Sequence, residues 1–156
     1  MKTSASSASH RIPEVDQYDR DFLAWTRMIA TRVRSGRLRQ ADIEHVAEEI
    51  EDLGKRDVDE PCSRMEVLIA HLLKWKQQPR KRSNSWRATI VTQRLEIQRL
   101  LRRSPSLRRH LRIEETENYQ GGVKRAAAES GLRREAFPSV CPYSIEQILD
   151  EEFLPN

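Results

Sequence analysis

The sequence predicts an all-α protein, a helical bundle of four to five main helices with a short C-terminal helix strapped across it. Three observations support this. Apolar residues recur at three- and four-residue spacing along most of the chain, which stacks them on single helix faces. No stretch alternates apolar and polar residues over six positions while rich in Val, Ile or aromatics, the pattern of a half-buried strand. Charge is also sorted by segment. Residues 40–66 hold ten acidic and three basic side chains, and residues 79–112 hold eleven basic ones and one Glu. Between them lies the nearly continuous apolar run Val67-Leu68-Ile69-Ala70-His71-Leu72-Leu73-Lys74-Trp75. That order describes an acidic helix and an arginine-rich helix flanking a buried one.

The elements follow in turn. Residues 1–13 are small and polar and read as a disordered leader; 14–156 read as a single all-helical domain. A first helix is expected from about Asp19 to Ser35, with Phe22, Trp25, Ile29 and Val33 on one stripe and Gly36 closing it. A second starts near Asp42 and buries Ile43, Val46, Ala47, Ile50 and Leu53. Pro61 suits the first turn of a new helix better than an interior, and Ser63 to Glu66 matches a capping box, so a third helix is expected up to Lys76. One long kinked helix over 42–77 is the alternative. The fourth helix starts near Ser83–Ser85 and ends by Arg103, with Trp86, Ile90, Ile97 and Leu101 on one face. Ser104-Pro105 restarts the chain into a fifth helix carrying Leu107, Leu111, Tyr119, Val123 and Ala127. Gly121-Gly122 is expected to bend or break it, and Gly131 to end it. Ser144 to Gln147 is a second capping box and opens the short tail helix.

Bulk properties narrow the function classes. The net charge of +4 permits an acidic partner without requiring one. Cys62 and Cys141 are isolated thiols, which suits a reducing cytoplasm and argues against a disulfide scaffold or a zinc site. The leader lacks an apolar signal segment and no apolar run could span a bilayer, so no membrane role is expected. No cofactor or metal is expected. The Glu-x-x-His pair of di-iron bundles is missing, and no Gly-rich phosphate loop or nucleophile elbow occurs.

Several segments together resemble a bacterial family known as domain of unknown function twenty-nine, common in cyanobacteria and proteobacteria. They are Tyr18-Asp19-Arg20-Asp21-Phe22 with Trp25, Ala47-Glu48-Glu49-Ile50-Glu51-Asp52-Leu53-Gly54, and Ala70-His71-Leu72-Leu73-Lys74-Trp75. Arg82, Ser85-Trp86-Arg87-Ala88-Thr89-Ile90 and Gln93-Arg94 continue the set. Cys141-Pro142-Tyr143, Gln147-Ile148-Leu149-Asp150 and Phe153-Leu154-Pro155 complete it. The resemblance covers about residues 18–155 and implies a small cytoplasmic helical protein, without bringing an activity. Pro61 stands where members of that family look continuously helical.

Three groups of residues are candidate sites. The first is a polar pocket of Glu49, His71 and Lys74, where a buried His beside a carboxylate would serve as a general base or as a structural ion pair. The second is Trp75 with Trp86, Arg87, Gln93 and Arg94. Gln93 sits on an apolar seam, where a polar residue fixes register or oligomeric state. Arg87 and Arg94 would pair with Glu48, Glu49 or Asp52, or hold an anionic ligand with Lys74. The third group is the basic surface of Arg80, Lys81, Arg82, Arg102, Arg103, Arg108 and Arg109, able to follow a phosphate backbone but without interleaved aromatics for base stacking. These readings favour a non-enzymatic module that binds an unidentified protein partner, a homodimer being one form this could take. Nucleic-acid binding through residues 80–112 is the alternative, and a ligand-binding or hydrolytic pocket at Glu49, His71 and Lys74 the second.

Overall fold

The computed structural model describes residues 16–156, so the leader expected over 1–13 lies outside the described residues. Among the described residues seven α-helices follow one another: α1 (Asp16–Arg20), α2 (Phe22–Arg34), α3 (Gln40–Gln77), α4 (Asn84–Arg103), α5 (Leu107–Ile113), α6 (Glu115–Ser130) and α7 (Ile145–Leu149). No strand occurs among the described residues. The all-α class and the short C-terminal helix are therefore those the apolar periodicity predicts. The chain divides into two compact units, one reaching to Glu51 and one beginning at Asp52. No helix of the described residues is long and apolar enough to cross a membrane.

The first unit is an antiparallel hairpin of α2 and the start of α3. The expected first helix is split at Asp21, whose side chain accepts from the Ala24 amide at 2.9 Å and caps α2. Gly36, at φ 66°, takes the left-handed conformation that ends α2. Three links set the pairing. Arg32 binds both Asp42 oxygens at 2.9 and 3.0 Å, Trp25 meets His45 edge-on at 6.3 Å, and the Tyr18 hydroxyl donates to Glu49 at 2.6 Å. Tyr18 also stacks on His45 at 4.4 Å.

Asp42 is the most heavily tied carboxylate in the hairpin. Hydrogen bonds from Arg39, with further help from Arg32, hold its pKa down to about 2. A carboxylate with a folded pKa below its unfolded value stabilises the fold fully above the unfolded value, near 3.9, and loses that contribution as pH falls. The hairpin amides around 32–42 are therefore expected to lose hydrogen-exchange protection between about pH 4 and pH 2. Asp42→Asn should flatten that acid loss, and an unchanged acid profile would refute the assignment.

Here the face expected for the second helix is corrected. Ile43, Ile50 and Leu53 are 39%, 64% and 59% exposed, and the residues turned inward are Asp42 and His45, toward α2, and Glu49, toward Tyr18 of α1. Phe22 and Val33 on α2 are likewise 49% and 53% exposed rather than buried with Trp25 and Ile29. Polar and aromatic groups satisfy one another inside the hairpin, which leaves the aliphatic stripe outside.

The second unit is built on the C-terminal half of α3. Met65, Leu68, Ile69, Leu72 and Leu73 are buried and packed with Ile90, Ile97 and Leu101 of α4, Leu111 of α5, Tyr119 and Val123 of α6, and Ile148 of α7. The preferred break at Pro61 does not occur. α3 runs through it, and the Pro61 ring is fully buried. An interior proline costs a helix about 3 kcal/mol, and apolar burial at about 25 cal/mol per Å² offsets this where the ring joins a packed face. The capping-box match at Ser63 thus lies mid-helix.

The break expected at Gly121-Gly122 falls instead at Glu114, between α5 and α6. The glycines are wanted for contact. A Cβ at Gly122 would stand 2.6 Å from Ile69 Cγ2 and 3.2 Å from the Glu66 carbonyl oxygen, so their small size lets α6 lie directly on α3. Ser83 caps α4 by accepting from the Trp86 amide at 3.2 Å, and α5 begins at Leu107, two residues later than Pro105 suggests. The Ser144–Gln147 capping box forms as read, with bonds of 3.0 and 3.2 Å. The loop after α6 is fastened by the buried Tyr119, whose hydroxyl donates to the Pro138 carbonyl at 2.7 Å; burial pushes its pKa up to about 12.

Candidate functional site

The polar cluster of the second unit gathers on Lys74. The periodicity of α3 places Lys74 among Leu72, Leu73 and Ala70, and the residue is 3% exposed. Its ammonium group has three neighbours. Glu129 of α6 forms a short ion pair with it, the Trp86 ring centroid lies 4.7 Å away, and His71 Nε2 lies at 3.4 Å. His71 Nδ1 is 2.9 Å from the Val67 carbonyl, which can only accept, so Nδ1 carries the proton and Nε2 offers its lone pair to Lys74. Burial pushes the His71 pKa below its ordinary value; the Val67 carbonyl opposes this and Lys74 reinforces it. The arrangement holds a neutral imidazole and a compensated cation, which suits a fastening of α6 and α4 onto α3.

Glu49 does not share this cluster. It accepts from Tyr18 in the first unit, and the carboxylate at Lys74 is Glu129. Bringing Glu49 to His71 required two helices side by side, but both residues lie on the continuous α3. Glu129 was not singled out from sequence. A signal existed, since Glu129 lies three residues after Ala126 and so continues the buried face of Tyr119, Val123 and Ala126.

Arg94 is the second organised polar group. Only 1% exposed, it donates from Nε to the Ile148 carbonyl at 2.8 Å, and from its two terminal nitrogens to Glu151 and Phe153 carbonyls at 3.2 and 2.7 Å. The pairing of Arg94 with the acidic stretch 48–52 is thereby replaced by a clamp on the C-terminal tail. Burial lowers the Arg94 pKa, while the carboxylates of Asp150 and Glu151 pull it back up. Gln98 adds a bond to the Leu149 carbonyl at 3.4 Å. Gln93 is half-buried and accepts from Arg64 at 3.4 Å, so its place on the α4 seam is filled within the chain. Arg87 is exposed and lines a small cavity of about 240 Å³ with Arg94, Glu151 and Leu154.

The basic residues do not form one set. Arg82 donates to the Trp75 carbonyl at 2.9 Å and to the Pro155 carbonyl at 3.5 Å, with its guanidinium 5.1 Å from the Trp75 ring centroid. It is therefore a second tie on the tail. Arg103 approaches Asp57 at 3.6 Å. Arg80 and Lys81 sit exposed on a short 3₁₀ turn (Pro79–Lys81), and Arg109 is exposed on α5. Arg102 and Arg108 line a shallow groove of about 590 Å³ that also contains Glu146 and Asp150, so its charge is mixed. Among the described residues no group of three or more His, Cys, Asp or Glu is arranged to hold a metal ion.

The model of the family described as "Domain of unknown function DUF29" matches residues 17–154. The chain belongs to that family. No curated protein and no solved structure matches it. Within this DUF29 chain, the residues behind the resemblance fall into interlocking groups. Tyr18, Trp25 and Glu49 meet inside the hairpin, with Tyr18 between the other two. Lys74 meets Trp86, and Trp75 meets Arg82. Arg94 holds the main chain of the closing segment from Ile148 to Phe153. These positions carry the architecture of the two units.

Proposed function

We propose that this DUF29 protein is a non-enzymatic helical module that works by binding a protein partner through the outward face of its N-terminal hairpin. One observation carries the reading: the hairpin is turned with its polar groups inward and its aliphatic groups outward. Ile43 and Ile50 of α3, with Phe22, Leu23 and Val33 of α2, are each between 39% and 64% exposed within a few helical turns. Clustered exposed apolar residues of this kind mark interaction surfaces, whereas singly scattered ones carry no such meaning. The partner surface that fits is itself helical and apolar, with charged margins. The titratable groups of the second unit support the same reading, since Lys74, His71 and Arg94 are spent on ties between elements.

The test is carbene footprinting of Ile43 and Ile50, read by mass spectrometry. Labelling of both is expected to be severalfold weaker in cells that express the protein than in the dilute purified chain. Equal labelling in the two settings would refute the reading.

A further inference from the structure

Resting on the partner-binding reading, we infer that the partner of the hairpin is a second copy of this chain, packed face to face about a two-fold axis parallel to the helices. The argument starts from helix geometry, in which successive residues turn by about 100°. On α3 the inward side carries Asp42 and His45 against α2 and Glu49 against Tyr18 of α1. Turning onward around the helix, the next strip is Ile43 and Ile50, and beyond it, on the outer edge of the hairpin, come the exposed Glu44 and Glu51. On α2 the side toward α3 carries Trp25 and Arg32. Turning in the same sense, the next strip is Phe22, Val33 and Leu23, and beyond it come the exposed Arg27 and Arg34.

Because the two helices run antiparallel, equal senses of turn bring both apolar strips to the same side of the hairpin. That side therefore has an apolar centre, and the outer edges that flank it are acidic along α3 and basic along α2. The charge bias extends along both elements. Residues 20–39 hold six arginines and one Asp, and residues 40–52 hold six carboxylates and no Lys or Arg.

A second hairpin can cover this face in two symmetric ways. A two-fold axis across the helices lays α2 on α2 and α3 on α3, setting like charges together. An axis along the helices lays the basic α2 of each copy on the acidic α3 of the other, basic outer edge beside acidic outer edge. Charge chooses the second, and opposite charges on the rim steer encounter and suppress the alternative. The contact is self-complementary and closes at two copies. Trp25 sits beside His45 within one hairpin, so one copy's Arg27 comes level with the other's Glu44.

The decisive experiment uses the full chain and measures mass by light scattering after gel filtration. The wild type is expected at twice the chain mass. A first variant, Arg27→Glu with Arg34→Glu, has two acidic margins and should be monomeric. A second, Glu44→Lys with Glu51→Lys, has two basic margins and should also be monomeric. Mixed in equal amounts, the two should recover the dimer as a one-to-one pair. All four side chains are exposed, and circular dichroism checks that each variant remains folded. Ile50→Ser, which alters only an outward side chain, is the second probe and should weaken the dimer at least tenfold.

A monomeric wild type overturns the inference, as does a dimer indifferent to Ile50→Ser and to both charge reversals. If the purified wild type is monomeric while Ile43 and Ile50 remain protected in cells, the partner is a different protein. The partner-binding reading then stands and the second copy is excluded.

Discussion

Replacing Arg94 with methionine is expected to cost the second unit about 3 kcal/mol and to free the C-terminal tail. Methionine fills most of the space of the side chain, so the loss comes from hydrogen bonding. Arg94 serves three carbonyls, those of Ile148, Glu151 and Phe153, with a charged donor that is itself out of water. A hydrogen bond from a charged group contributes about 1.5–3 kcal/mol. The Glu151 and Phe153 carbonyls are only partly buried, so water recovers some of their share and the total stays well below the sum. For a chain of this length such a loss lowers the melting temperature by about 6–12 °C. Arg94→Lys should recover little, because one ammonium on a flexible stem cannot reproduce a planar fork reaching three acceptors. Gln93→Ala, which gives up one long bond to Arg64, should change stability by less than about 1 kcal/mol. Thermal melts give the stability, and hydrogen exchange over residues 148–154 shows whether the tail is what has been released. A variant with unchanged melting and unchanged tail protection would end the clamp interpretation.

The same residue shows where sequence reasoning stops. The helices of the second unit were legible because their apolar residues lie at helical spacing and their caps are local. Ser83, Ser144 and Gly131 act within a few residues of themselves. The partners of Arg94 were not legible, since they are main-chain oxygens more than fifty residues away, and a carbonyl oxygen leaves no mark in the sequence. Charge complementarity pointed instead to the acidic stretch, which turns out to use Glu49 for Tyr18 and Asp52 for Lys55. Pro61 and Gly121-Gly122 were read through their local costs, and at both places burial in the packed unit outweighs propensity. The hairpin failed in the opposite sense. An apolar stripe at helical spacing reads as a face buried within the chain, and the structure leaves Ile43 and Ile50 exposed. His71 and Lys74 were placed on one side of their helix by spacing alone, and the structure keeps them there with Glu129 added.

Glu129→Gln is expected to destabilise the protein more than Lys74→Met, although the lysine is the more deeply buried member of the pair. With the carboxylate gone, the Lys74 ammonium remains 3% exposed and faces only an amide oxygen, His71 Nε2 and the Trp86 ring. Removing one partner of a buried pair costs about 3–5 kcal/mol, because the other charge is stranded. Glu129 is 38% exposed, so water can follow it toward the ammonium, and a loss of about 2 kcal/mol is expected here. Lys74→Met acts differently. It keeps the stem that covers Trp86, leaves no stranded charge inside, and lets Glu129 turn to solvent. Its cost should stay within about 1 kcal/mol, in keeping with the near-neutral effect of replacing buried ions by apolar groups of similar volume. In the double variant the amide at 129 has no cation to strand, so it should match Lys74→Met and not fall by the sum. Urea unfolding of the four proteins measures this as a coupling energy of about 2 kcal/mol, within the range for residues in contact. Additive losses would mean that the pair carries no compensation, and a Lys74→Met variant as unstable as Glu129→Gln would mean that the ammonium itself, through Trp86 or His71, holds α3 to its neighbours.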